Sequence, residues 1–490
     1  MICVPIIGPN MNRALEDIPD ALEVADIIEL RLDLIDDVNL QDLLKAVNKP
    51  VIVTNRNKRE GGQFKGSEEE RVKFLQKAMD AEADYIDIEA GTPREFLQPI
   101  LEAKCKTQKI ISYHHFSLTP ESLIEFYETM SETPAEIIKI VTYAKNITDN
   151  IIIFNLLRHA QESGKKLISF CMGDKGEISR ILSPIMGGFL TFGSLNSGKE
   201  SAPGQIPATV LRDIYRVNMK RLDYKIFGVV GDPVSKSLGY LIHNTAFKKK
   251  NLPHIYLPFL VHDMSEFFSA FEKHFEGLSV TMPHKEKVFR LLDKTDCVAD
   301  SIGAANTVVR ERNVWVGYNT DYSGAIKVFE DHCELKDKKV LIIGSGGTAK
   351  AIGYGVVQKG GDLVVTYNQN KERGETLASE LDCRVMSSRE IGAFSFEVII
   401  NCSPVGMKPD VSKTPYPKHM LKPNMVVFDA VYNPLETRLI KEAREVGCVV
   451  IPGVELFVNQ AAEQFEKWTE VEAPKEIMRQ VVVDKLKSIK

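Results

Sequence analysis

The chain has 490 residues, 44% of them hydrophobic and 26% charged, with a formal net charge of -5. That length exceeds one ordinary core and predicts about two to four domains. The composition is that of a globular protein, and the lack of a basic excess argues against nucleic acid as a partner. The eight cysteines are scattered, with no CxxC pair. This excludes a disulfide framework or zinc site and fits a reducing compartment. The opening "MICVPII" runs straight into a strand with no charged leader, and no apolar run reaches the roughly 20 residues of a membrane span. A cytoplasmic protein with no membrane partner is expected.

The first 220 residues alternate strand-like and helix-like stretches. Strands are predicted at ICVPII, DIIELRLD, PVIVTNR, YIDIEA, KIISYH, EIIKIVTYA, KLISFCM and FLTFGS. Between them lie segments such as "SEEERVKFLQKAMDAE", with apolar residues at three-to-four spacing. Eight such units in this length predict a TIM barrel over residues 1–221. A boundary is expected near Leu222. Another α/β pattern spans 225–330, and its core is expected to be completed by C-terminal helices over 454–490. Between them, 336–453 opens with "KKVLIIGSGGTAKA", a strand, a glycine turn and a helix, which predicts a Rossmann-type domain. The fold class is therefore α/β: an N-terminal (β/α)8 barrel followed by a two-domain dehydrogenase.

In the barrel, one residue stands out. Lys139 sits inside an otherwise apolar strand, where an unpaired ammonium is costly. An edge strand would let it reach water, whereas a buried amine could act as a nucleophile toward a ketone. Its surroundings favour the second reading, because ionisable groups gather at the C-terminal strand ends where barrel active sites form. These are Glu29, Arg31, Arg56, Glu89 and His114, with Arg180 after the seventh strand. A lysine imine is an electron sink that acidifies the neighbouring carbon, and His114 is the expected base. Glu89 is expected to orient that imidazole. The arginines would anchor an anionic substrate and, with burial, lower the lysine's pKa. No metal is implied, since the imine supplies the electron sink.

The motifs "ELRLD", "RNKREGGQFKG", "SYHHFSLTP", the strand lysine and "SAPGQIP" together resemble type I 3-dehydroquinate dehydratase across the whole first domain. The resemblance implies a Schiff base at Lys139, proton transfer by His114 and support from Glu89. It also implies substrate binding by Arg31, Arg56, Arg180, Ser201 and Gln205, with Glu29 beside them. One departure is His114-His115, where the family commonly has His-Asp or His-Asn. His115 is read as a loop or supporting residue. Type I dehydratases are often dimers, so a homodimer is admitted as a partner.

In the second half, the turn Gly344-Ser345-Gly346-Gly347-Thr348-Ala349 suits a pyrophosphate at a helix N-terminus. The following strand ends in Asn368 rather than an acidic residue. Lys371 and Arg373 come next, a pattern that favours NADP over NAD. Lys285 and Asp321 form the one acid–base pair in the polar clusters before it. "SKS", "TMPHK", "ANT", "NTD", the glycine turn and "NQAAEQFEKW" resemble shikimate dehydrogenase from about Lys225 onward. That resemblance implies Lys285 and Asp321 as the catalytic pair. It assigns Ser235, Ser237, Thr281, Asn306, Tyr432 and Gln460 to the substrate. Where the family usually has Asn-Arg-Thr, this chain has Asn368-Gln369-Asn370, so one expected arginine is missing. The two halves support each other, because the first product, 3-dehydroshikimate, is the second substrate. The expected function is a bifunctional enzyme converting 3-dehydroquinate to shikimate. Quinate as the second half's substrate, or a metabolite-binding regulator on the same domains, are the alternatives. A regulator would be expected to have lost its lysine nucleophile.

Overall fold

The computed structural model describes residues 1–196, 198–219, 224–234, 237–367 and 370–488. The chain divides into two compact units, one of residues 1–223 with 269–273 and one built from 224–268 and 274–490.

In the first unit eight parallel strands follow one another: β1 (Ile2–Ile6), β2 (Ile27–Arg31), β3 (Val51–Thr54), β4 (Tyr85–Glu89), β5 (Gln108–His114), β6 (Ile137–Tyr143), β7 (Lys166–Met172) and β8 (Thr191–Ser194). They hydrogen-bond in the order β7-β6-β5-β4-β3-β2-β1-β8, and a short β9 (Ile206–Pro207) adds to β8. The sheet curls back on itself, with the Phe189 amide ahead of β8 donating to the Leu167 carbonyl in β7 at 2.7 Å. This is a (β/α)8 barrel, filled by side chains such as Ile27, Ile52, Ile110, Ile137, Ile168 and Phe192. Apolar β-branched residues dominate the strands because a parallel sheet is covered on both faces. Strand register sets Glu89, Ser112 and Lys139 side by side on β4, β5 and β6.

The second unit has two sheets. The first is mixed, in the order β11-β10-β12-β14-β15-β13. Its strands are β10 (Lys225–Gly231), β11 (His254–Leu260), β12 (Gly277–Val280), β13 (Lys294–Thr295), β14 (Thr307–Glu311) and β15 (Val314–Tyr318). The second holds β16 (Lys339–Ile343), β17 (Asp362–Tyr367), β18 (Arg384–Ser387), β19 (Val398–Asn401), β20 (Val426–Asp429) and β21 (Val449–Ile451). Its order is β18-β17-β16-β19-β20-β21, all parallel. That is the doubly wound nucleotide-binding topology, with its switch point between β16 and β19. The last two helices, Gly453–Thr469 and Lys475–Ser488, return to the first sheet. Phe465, Trp468, Met478 and Val482 share one core with Phe227, Ile242 and Phe247. None of the described helices is long and apolar enough to cross a membrane.

Candidate active sites

At the barrel mouth the Lys139 amine is buried, 2.9 Å from the Asp87 carboxylate and 3.9 Å from that of Glu29. The Phe192 ring lies 4.5 Å from the amine, a cation–π contact on the apolar side. Its nearest charge is therefore a carboxylate, whereas the sequence reading surrounded it with guanidinium groups. Asp87 also takes the Arg56 guanidinium at 2.6 Å and the Ser112 hydroxyl at 2.6 Å. Burial alone would raise its carboxyl, but Arg56 and Lys139 outweigh that and hold it well below the usual range. Asp87 was legible in principle: in "YIDIE" it is two residues from Glu89, so both project from the same face of the strand.

The orientation of His114 departs from expectation. Its Nδ1 is 2.8 Å from Glu60, on the loop after β3, and not from Glu89. Glu89 is claimed elsewhere. It accepts the Asn57 amide at 2.9 Å and lies 2.6 Å from the fully buried Arg71 guanidinium and 3.3 Å from Arg56. Arg71 has no water to turn to, so it is held between two carboxylates, Glu89 and Glu68, each at 2.6 Å. The "REGG" turn explains how Glu60 reaches the site. Gly61 has φ of +77°, and a Cβ on Gly62 would lie 2.0 Å from the Arg56 carbonyl. Only glycines let this loop fold back onto the strand end. Burial raises the Glu60 carboxyl to about 7, against the pull of Arg56, while burial, Arg56 and Lys139 push His114 well below its ordinary value. His115 points into its own turn, where Nδ1 accepts the Leu118 amide at 3.2 Å.

One pocket gathers Glu29, Arg31, Arg56, Glu60, His114, Lys139, Arg180, Ser201 and Gln205, while Glu89 lies outside it. Arg31 is gripped by Asp33 at 2.9 and 2.8 Å. Arg180, in the helix Glu177–Leu182, has no ion pair among the described residues; burial lowers it to about 10. Its guanidinium stacks 4.3 Å from Phe170, and its Nε, like the Gln205 Nε2, is buried without a hydrogen-bond partner. The Gln205 carbonyl accepts the Ser201 amide at 2.7 Å, which aims the unpartnered amide nitrogen. Such donors are built for an anionic, hydroxyl-rich ligand.

In the second unit the Lys285 amine donates to Asp321 and, at 3.2 Å, to the Thr348 hydroxyl. Asn306 holds the other Asp321 oxygen at 2.8 Å and reaches Gln460 at 3.2 Å. Its own carbonyl is fixed by the Thr320 amide at 2.7 Å and the Thr307 hydroxyl at 2.8 Å. The structure thus brings Lys285, Asp321, Asn306 and Gln460 together. Thr281 follows β12, its amide on the Val230 carbonyl at 2.9 Å. The Ser237 hydroxyl accepts the Gly239 amide at 3.1 Å. Burial raises the Tyr432 phenol, whose ring stacks on Phe457 with centroids 4.4 Å apart. Ser235 and Asn368 lie outside the described residues.

The glycine turn joins β16 to the helix Gly347–Gln358, in which Ala349 is buried. Gly344 has φ of +121°, and a Cβ there would meet the Cys402 carbonyl at 3.0 Å, whereas one on Gly346 would enter open space. A wide groove lined by Gly344, Ser345, Tyr367 and Asn370 continues from this turn. Lys371 is paired with Glu375 at 3.4 Å. Arg373 lies one turn into the helix Lys371–Glu380, its amide capped by Asn370 at 2.9 Å.

Residues 2–221 match the family model described as type I 3-dehydroquinase. Residues 229–308 match the shikimate dehydrogenase substrate binding domain and 453–483 the shikimate 5'-dehydrogenase C-terminal domain. Residues 339–428 match the model described as NADP oxidoreductase coenzyme F420-dependent. Fold and matches define the class: a dehydroquinase barrel fused to a shikimate dehydrogenase. The chain is 38% identical to the chloroplastic bifunctional 3-dehydroquinate dehydratase/shikimate dehydrogenase of Arabidopsis thaliana, covering 98% of this chain and 84% of that protein. It is 31% identical to the shikimate biosynthesis protein AroDE of Chlamydia pneumoniae, covering 96% and 95%. The chain belongs to the bifunctional 3-dehydroquinate dehydratase/shikimate dehydrogenase family. Its second half also resembles a solved shikimate dehydrogenase in complex with NADP+, at 33% identity and a TM-score of 0.51 over 55% of this chain and 98% of that one.

Proposed function

We propose that the chain converts 3-dehydroquinate to 3-dehydroshikimate in its barrel, residues 1–221, and reduces that product to shikimate in its second half. The substrate-holding lobe is 225–330 with 454–490, and the nucleotide lobe is 336–453. The observation that carries this reading is the barrel pocket. It holds a buried amine, a histidine with its own carboxylate, and the uncompensated Arg180 guanidinium.

The Lys139 amine attacks the substrate ketone in its neutral form, from the seat where Asp87, 2.9 Å away, aims it. Attack and loss of water give a protonated imine, which draws electrons from the neighbouring carbon. With Glu60 ionised and accepting the Nδ1 proton, His114 keeps a basic Nε2, which removes the acidified proton. The β-hydroxyl then leaves as water, taking up the proton that His114 removed, and hydrolysis of the imine frees Lys139. Arg180 and Gln205 hold the substrate's carboxylate and hydroxyl groups.

In the second site the open cradle before Gly346 and the groove beyond it fit a dinucleotide. Gly344 to Ala349 would hold its pyrophosphate, with Asn368, Lys371 and Arg373 near the ribose. NADPH supplies the hydride when bound. Lys285 delivers a proton to the ketone oxygen, and Asp321, fixed by Asn306, orients that amine. Ser235, Ser237, Thr281, Tyr432 and Gln460 hold the substrate. The eight free cysteines support a reducing, cytoplasmic setting.

Borohydride reduction in the presence of 3-dehydroquinate should fix the substrate skeleton on Lys139, read by peptide mass. Labelling at another lysine, or none while dehydration proceeds, would overturn the Schiff-base assignment.

A further inference from the structure

The nucleotide strand lacks the arginine expected at position 369, which is glutamine here. A ribose 2′-phosphate is a compact dianion that needs a guanidinium or ammonium close by. Among the cations lining the groove beyond the glycine turn, most are already satisfied. Lys413 is paired with Asp410 at 2.6 Å and Lys418 with Glu445 at 2.6 Å. Arg438 is paired with Glu442 at 2.6 Å. Arg389 also lines the groove, is exposed, and has no carboxylate within ion-pair distance among the described residues.

Its position is fixed by neighbouring strands. β17 and β18 run parallel with Tyr367 opposite Ser387, and the Ser388 amide donates to the Tyr367 carbonyl at 2.9 Å. The Ser387 amide donates to Glu390 at 2.8 Å and the Arg389 amide to the Ser387 hydroxyl at 3.3 Å, which closes a tight turn. That turn sets Arg389 beside the end of the nucleotide strand, on the wall that also carries Asn370 and Ser388. Arg373 does not line the groove.

We propose that Arg389, supplied by the neighbouring strand's turn, replaces the missing arginine and reads the 2′-phosphate of NADP. This rests on the NADP reading above. Isothermal titration of the full chain with 2′,5′-ADP and with 5′-AMP isolates the 2′-phosphate without turnover. The intact chain should bind 2′,5′-ADP about ten-fold or more tighter than 5′-AMP, as charge-assisted hydrogen bonds allow. Arg389→Ala should abolish that preference with 5′-AMP affinity unchanged, Arg389→Lys should restore part of it, and Arg373→Ala should lower it less than Arg389→Ala does. Retention of the preference in Arg389→Ala, with its loss in Arg373→Ala, would overturn the assignment. No preference in the intact chain would remove the NADP reading itself, and Arg389's role with it.

Discussion

Lys139 and Lys285 each face an aspartate, yet their surroundings differ in kind. Lys139 rises from the middle of a barrel strand, and its partner Asp87 is shared with Arg56 and Ser112, all of them buried. Lys285 begins the short helix Lys285–Phe289 and meets a partner held by Asn306, beside the Thr348 hydroxyl of the nucleotide turn. A covalent nucleophile needs a dry, over-determined seat, because its amine has to be neutral at the moment of attack. A proton donor needs only to be aimed, and can sit where ligands come and go. Around the barrel amine stand three charged groups, Asp87, Glu29 and Arg56, whereas around Lys285 stand Asp321 and the neutral Asn306 and Thr348.

Substitutions can break this contrast at several depths. Lys139→Ala should abolish dehydration entirely while the same protein still reduces added 3-dehydroshikimate, since no residue of the second site is touched. Next in size is Glu60→Gln, expected to lower dehydratase kcat by about 100-fold, the scale of lost acid–base assistance. It also has a pH signature. Below about 7 the raised Glu60 carboxyl is protonated and cannot accept the Nδ1 proton, so Nε2 loses its basic lone pair. Dehydration should therefore rise as pH increases through about 7 in the native chain, and this limb should vanish in the variant. Glu89→Gln should keep the limb, because Glu89 serves Arg71 and Asn57.

Smaller effects belong to the second site. Asn306→Ala frees one oxygen of Asp321 and should slow reduction roughly ten- to a hundred-fold, the cost of about 1–3 kcal/mol for an unsatisfied buried group. Dehydration should not change. Smallest is Gly347→Ala, whose Cβ would lie 3.1 Å from the Lys285 stem. That crowding should cost about 1 kcal/mol, a few-fold in reduction rate, by displacing a flexible side chain.

The reach of the sequence follows the same divide. Barrel strands were legible because buried parallel strands are short apolar runs, and residues at their C-terminal ends share one mouth by topology. Lys139, His114 and the arginines could thus be placed together. Glu60 could not, because it hangs on a loop whose path depends on two glycines folding back over Arg56. Glu89 was readable as a partner for His114, but no local pattern announced that the buried Arg71 would claim it instead. In the second half, Lys285 and Asp321 were readable as a pair from their polar companions. The link from Lys285 to Thr348 spans 63 residues and two sheets, and no local pattern announces it.

The most direct measurement uses the purified chain with 3-dehydroquinate and NADPH, following loss of reduced nicotinamide absorbance, with NADH run in parallel. Two working sites require NADPH consumption, because only the barrel's product can be reduced, and NADPH should outpace NADH. Reduction of added 3-dehydroshikimate with none from 3-dehydroquinate would contradict a catalytic barrel built on Lys139.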